Sequence, residues 1–205
     1  MNNNPGRRNP LSVSLVLASL FGCTVLSTAA QAQTCTEEPT VFVREIGDQV
    51  VAVLAGTDLD RAARKDLLRE LFMEYVAVEV VGQIVLGRYW TGITDQQRTD
   101  YLDAFPRYIA SVYASQLSGL DGAEILISGT QSFGDTDELV TLDFRFSDSA
   151  SVSGYFRIRC IEGDQRLLDA VISGASLIVT KRDEFGSFLR RNDMDNLIEI
   201  MRRLD

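Results

Sequence analysis

Histidine is absent from all 205 residues. That removes Ser-His-Asp and Cys-His nucleophile activation, histidine general bases and nearly every zinc or iron site. Lysine is almost as scarce, with only Lys65 and Lys181, so Ser-Lys chemistry has few candidates and a serine such as Ser176 lacks a base. Gly154, Gly163, Gly174 and Gly186 form no phosphate-binding pattern. No repeat, low-complexity segment or linker divides the chain. No residue set supports a metal, nucleotide or other cofactor, and the catalytic vocabulary is short.

What is present begins with a leader. Residues 1–32 read as a cleaved secretory signal. Arg7 and Arg8 supply the basic start, Leu11 to Gly22 carry no charge, and Ala30-Gln31-Ala32 is an A-x-A cleavage site. The apolar stretch is shorter than the ~20 residues a membrane span needs. Two other readings are weaker. Leu20-Phe21-Gly22-Cys23 is a poor lipobox because Phe21 is bulky, and Arg7-Arg8 followed by Pro10 is a loose twin-arginine pattern.

Cleavage leaves residues 33–205 as a single domain with room for a sizeable core. The leader holds two of the 20 basic residues and none of the 29 acidic ones, so the remaining domain carries a net charge of −11. Such a chain is repelled by nucleic acid and by anionic membrane surfaces. Cys35 and Cys160 remain after cleavage. An even pair in an oxidising compartment suggests one disulfide tethering the domain's N-terminus to a strand, with two free thiols as the alternative.

Periodicity divides the domain. Pro39 opens a helix in which Phe42, Ile46, Val50, Val53 and Leu54 recur at helical spacing, and Gly56 ends it. Asp58 opens a second helix, with Leu59, Ala63, Leu67, Leu71 and Phe72 as its stripe. A third is expected over residues 76–90. Thr94-x-x-Gln97 is a capping box for a fourth, whose inner stripe is Tyr101, Phe105, Ile109, Val112, Tyr113 and Leu117 and which Pro106 should kink.

Past a turn at Asp121-Gly122 the period changes to two. Strands are expected over 124–129, 138–146, 152–160 and 167–173, with connections at Asp148-Ser149-Ala150 and at Glu162-Gly163-Asp164. Val140, Leu142, Phe144 and Phe146 alternate with Thr141, Asp143 and Arg145; Val152, Phe156, Ile158 and Cys160 alternate with Tyr155, Arg157 and Arg159. One-sided alternation implies an antiparallel sheet with one wet face. Thr180-x-x-Asp183 caps a further helix ending near Asn192. Asp193 or Asp195 starts the last, with Leu197, Ile198, Met201 and Leu204 on its apolar side. Helices, strands and helices in that order make an α+β domain.

Carboxylates are the remaining candidates for chemistry. Asp135, Asp137 and Glu138 cluster near a turn and read as solvated surface acids. Asp169, inside an apolar strand, reads as a buried group with an arginine partner, where structural pairing is favoured over catalysis.

Two blocks resemble a known family, the MlaC-type periplasmic phospholipid-binding proteins, long labelled toluene-tolerance proteins. The first block is Leu86-Gly87-Arg88-Tyr89-Trp90, then Thr94-Asp95-Gln96-Gln97-Arg98, then the helix bearing Phe105 and Tyr113. The second is Asp169 through Leu177, followed by Arg182, Phe185 and Leu197. They are similar to the family's Leu-Gly-x-x-Trp and Asp-Val-x-x-x-Gly-x-Ser motifs, with order and spacing kept across roughly residues 40–204. Gln165-Arg166-Leu167-Leu168 stands where the family often has a tryptophan.

The resemblance implies a curved antiparallel sheet of about four strands, wrapped by N- and C-terminal helices around an apolar pocket. It implies a periplasmic, monomeric, non-enzymatic carrier moving phospholipid between an outer-membrane lipoprotein–porin complex and an inner-membrane ABC transporter with an MCE-domain subunit. The expected pocket residues are Phe105, Ile109, Tyr113, Val140, Leu142, Phe144, Phe156, Ile158, Val171 and Ile172, with Tyr89 and Trp90 closing one end. Each buried methylene contributes about 0.8 kcal/mol, so two acyl chains hold ample driving force before ordering costs are subtracted. Three other readings stand beside it: a hopanoid-associated carrier of the same fold, a solid-core adaptor, and an enzyme for a small apolar substrate using Asp143 or Asp169 with a tyrosine.

Overall fold

The computed structural model describes residues 35–56, 58–117, 124–146 and 151–204. The expected leader, the Asp121-Gly122 turn and the Asp148–Ala150 connection lie outside the described residues.

Four helices lead. α1 (Pro39–Ala55) places Pro39 in its first turn, where a missing N–H costs nothing, and ends at Gly56. α2 (Arg61–Tyr75) starts at Asp60, not Asp58: the Asp60 carboxylate accepts the Ala63 N–H at 2.8 Å. A cap must sit directly before the first helical residue to reach that N–H, and Asp58 stands too early. α3 (Val78–Leu86) is shorter than its periodicity suggests. It breaks at Gly87, whose φ is +53°, into a 3₁₀ turn over Gly87–Gly92. A Cβ at Gly87 would also meet the Arg182 guanidinium at 3.2 Å, so both the left-handed backbone and the close approach require glycine.

The capping box of α4 (Asp95–Leu117) is reciprocal. The Gln97 N–H donates to Thr94 Oγ1 at 3.2 Å, and the Thr94 N–H donates to Gln97 Oε1 at 3.1 Å. Pro106 is buried inside α4 without ending it. No described helix is long and apolar enough to cross a membrane.

The sheet is an antiparallel meander in the order β1 (Glu124–Phe133), β2 (Asp137–Arg145), β3 (Val152–Ile161), β4 (Asp164–Ile172) and β5 (Ala175–Ser176). The fifth strand exists because Ser173 and Gly174, with φ of 51° and 81°, turn the chain back onto β4. Glu162 and Gly163 (φ 56° and 96°) make the same kind of two-residue loop between β3 and β4, the geometry that matches strand twist. The register skips Ser128 on β1 and Leu168 on β4. These bulges bend the strands into a curved, open sheet. At Gly154 a Cβ would lie 2.3 Å from the Val171 carbonyl oxygen, so β3 and β4 approach too closely there for any side chain.

α5 (Leu177–Leu189) is capped by Ser176 rather than Thr180: Ser176 Oγ accepts the Val179 N–H at 3.0 Å, while Thr180 Oγ1 donates back to the Ser176 carbonyl at 2.7 Å. Asp193 caps α6 (Met194–Arg203) through the Asn196 N–H. Met194, Leu197, Ile198 and Met201 are buried there, but Leu204 is the C-cap and stands exposed. Cys35 and Cys160 form a disulfide with Cα atoms 5.6 Å apart, tying the chain before α1 to β3.

Candidate ligand cavity

The buried apolar residues form two clusters rather than one. In the first, α3, α4, α5 and α6 converge on Tyr101, Phe105, Phe185 and Met201. In the second, Phe42, Val43 and Ile46 of α1 pack on Val140, Leu142, Phe144 and Ile158 of the sheet. A cavity of about 220 Å³ lies between them.

Its walls follow from periodicity. Val43, Ile46 and Val50 share one face of α1, and Phe105, Ile109 and Tyr113 share one face of α4 at intervals of four. Leu68, Leu71 and Phe72 come from α2, and Leu142, Phe144, Phe156 and Ile172 from the inner face of the sheet. A void lined this way stays dry and suits a hydrocarbon.

The polar side chains on the lining are few, and partners hold most of them. Tyr75 accepts a hydrogen bond from Gln49 and donates to Glu45 at 3.3 Å. Burial first, then the nearby Glu45 and Glu74, push its phenol up to about 12, so it stays neutral. Asp169 accepts from Ser176 Oγ at 2.5 Å and from the Ile178 N–H at 3.1 Å. Both oxygens therefore secure the start of α5, where a carboxylate also complements the helix dipole. The expected arginine partner is not there: Arg157, which faces Asp169 in the register, reaches Asp137 instead. Asp143 accepts from Ser153 Oγ at 2.6 Å and does not line the cavity.

Lys181 brings the opposite charge to this wall. It is buried on α5, its Nζ 2.6 Å from Glu184 Oε2 and 3.5 Å from the Tyr108 hydroxyl. The rings of Tyr108 and Tyr113 each lie 5.4 Å from that ammonium. Burial works against the charge, but Glu184, Tyr108 and Tyr113 outweigh it and raise the lysine above its ordinary value. Burial raises the Tyr113 phenol too, against the opposing pull of Lys181. Among the described residues the site thus holds one cation beside an apolar cavity.

Of the residues expected in the pocket, Phe105, Ile109, Tyr113, Leu142, Phe144, Phe156 and Ile172 line this cavity. Val140 and Ile158 are buried in the α1–sheet cluster, outside the lining. Val171 neighbours Ile172 on β4, and successive strand residues point to opposite faces, so one of the two is in the wall. Tyr89 and Trp90 lie on the 3₁₀ turn. Trp90 packs edge-on against Tyr101, with Arg98 4.8 Å over its ring, and Tyr89 donates to the Gly186 carbonyl at 3.5 Å. With Gly87 against Arg182, they join the first sequence block to the second.

Two features escape the sequence reading. The wall from α1 and α2 was visible only as helical stripes that an ordinary core explains equally well. Asp137, expected to be solvated, is 3% exposed and held by Arg157 and Arg159, each with a nitrogen 2.5 Å away. Burial raises its carboxyl, but the hydrogen bonds from Arg159, Thr136 and Arg157 lower it further, and the balance lies below the ordinary carboxylate value.

Comparison with known proteins agrees with this geometry. The family model described as MlaC protein matches residues 44–203. An intermembrane phospholipid transport system binding protein MlaC from Haemophilus influenzae is 24% identical over 143 residues, 68% of this chain and 67% of the relative. A phospholipid-binding protein from Ralstonia solanacearum, solved in complex with a phospholipid, superposes with a TM-score of 0.68 at 20% identity, covering 85% of this chain and 97% of that one. That structure shares the fold.

Proposed function

This chain belongs to the MlaC protein family, and from that premise we propose that it is a periplasmic phospholipid carrier. The observation that supports this most directly is the cavity between the sheet and the helices, lined almost wholly by apolar side chains. Such a wall takes acyl chains and leaves a head group to solvent. At about 220 Å³ the cavity is smaller than the roughly 300–1,000 Å³ of preformed small-molecule pockets. A two-chain lipid therefore needs more room than the cavity offers, and its entry requires the lining side chains to move apart.

The carrier exchanges its lipid with an outer-membrane lipoprotein–porin complex and with an inner-membrane ABC transporter bearing an MCE-domain subunit. The net charge of the domain opposes adsorption to anionic bilayers, so delivery depends on docking to those proteins. The test is to purify the secreted domain, extract it with organic solvent and analyse the extract by mass spectrometry. Phospholipid should co-purify. Preparations that repeatedly contain none, and take none from vesicles, would refute the carrier.

A further inference from the structure

A charge beside a hydrocarbon cavity is costly unless it is matched, and the Lys181 ammonium is the one cation on the cavity among the described residues. Its position is specific. The residue is 6% exposed, yet its partner Glu184 has a side chain 50% exposed. The ammonium thus stands where the apolar wall gives way to solvent, held between the Tyr108 and Tyr113 rings. Tyr113 also lines the cavity, and Ile109 stands one turn earlier on the same wall of α4.

The other charged group at this end, Asp169, is committed to Ser176 and to the Ile178 N–H. Glu184 is committed only to Lys181 among the hydrogen bonds and ion pairs described, and its exposure lets it swing into water. We infer that Lys181 is the head-group anchor of the cavity: when acyl chains fill the apolar space, the phosphodiester takes Glu184's place on the Lys181 ammonium, and the remainder of the head group projects past it to solvent. This rests on the carrier reading and adds to it a basis for selecting phosphate-bearing lipids over neutral ones. A lysine ammonium offers three donors without fixed directions. It therefore accepts a phosphodiester whether the head group is zwitterionic or anionic.

The test compares two ligands with identical acyl chains, phosphatidylglycerol and diacylglycerol, each presented from cyclodextrin to the delipidated mature domain. The wild-type protein should bind phosphatidylglycerol about tenfold or more tightly than diacylglycerol, the scale of a charge-assisted contact. Lys181→Met, which keeps the length of the stem, should lose that preference by weakening phosphatidylglycerol binding more than diacylglycerol binding. Glu184→Gln, which frees the ammonium, should hold phosphatidylglycerol at least as tightly as the wild type. A wild-type protein with no preference between the two lipids overturns the anchor without recourse to any variant. So does a Lys181→Met protein that keeps the preference, or one that loses both lipids equally, which would make Lys181 a packing residue. Uptake of neither lipid by the wild type would instead remove the carrier reading on which the anchor rests.

Discussion

A cavity kept for a ligand is a defect in the empty protein, and filling it should raise stability while removing function. Ala110 is the position for this. It is 6% exposed, lies on α4 beside Ile109, and lines the cavity. At about 24 cal/mol per Å³, the 220 Å³ void costs the empty domain on the order of 5 kcal/mol. Ala110→Leu adds three carbons to the wall, each worth about 0.8 kcal/mol when buried without strain. Leucine is also a good helix former. The delipidated variant should therefore be stabilised by about 2 kcal/mol, or roughly 4–8 °C in Tm for a domain of this size. Ala104→Leu is the control. Ala104 is on the same helix and 2% exposed, but sits within the closed helical cluster and does not line the cavity. There the same three carbons should overpack and destabilise by about 1–3 kcal/mol. Urea unfolding of both delipidated variants gives the signs, and lipid uptake from vesicles gives the function, which Ala110→Leu should depress. If the two substitutions shift stability in the same direction, or if Ala110→Leu loads lipid as the wild type does, the reasoning from an empty, ligand-shaped void is refuted.

Three further outcomes follow from the same contacts. Leu142→Asp places an unpaired carboxylate in the wall, where Leu142 is 1% exposed; lipid content by mass spectrometry should fall to near zero in any preparation that remains folded by circular dichroism, and normal loading would move the pocket elsewhere. Opening the Cys35–Cys160 disulfide releases a loop with a sequence separation of 125, so reductant should lower the unfolding free energy by about 3–5 kcal/mol in urea titrations, and an unchanged midpoint would deny the crosslink a stabilising role. Asp137 has a folded pKa below its unfolded value of about 3.9, so its contribution is complete above that value and is lost as pH falls through the lower folded one; the stability gap between wild type and Asp137→Asn should be flat from pH 7 to 5 and close below about pH 4, and a gap that persists in acid would mean the loss is not electrostatic.

The sequence made some of this molecule legible and hid the rest for physical reasons. The α4 capping box, the inner faces of β2 and β3, and the buried side of α6 as far as Met201 are local matters of spacing, and each forms as the spacing implies. Val78 to Trp90 is apolar enough to predict a continuous third helix, which the structure ends at Leu86. What stops it is Gly87, whose left-handed backbone is held against Arg182, about a hundred positions along the chain. The cap of α5 falls at Ser176 and not at Thr180 for a similar reason: Ser176 is positioned by β5, a two-residue strand too short to show any period.

The cavity itself is the hardest feature to read, because a filled core and an empty one use the same residues at the same spacing. Phe105, Ile109 and Tyr113 would face inward in either case. Only the placement of α1 and α2, which leaves one apolar cluster short of the other, turns their inner face into a wall. Lys181 did carry a signal, since it is one of two lysines in the chain and stands one residue, Thr180, past the apolar run Leu177-Ile178-Val179. A buried ammonium at the open edge of that wall is a polar group that a solid core would have no reason to keep. If it were ornamental, replacing it with methionine would leave the lipid preference of the protein intact.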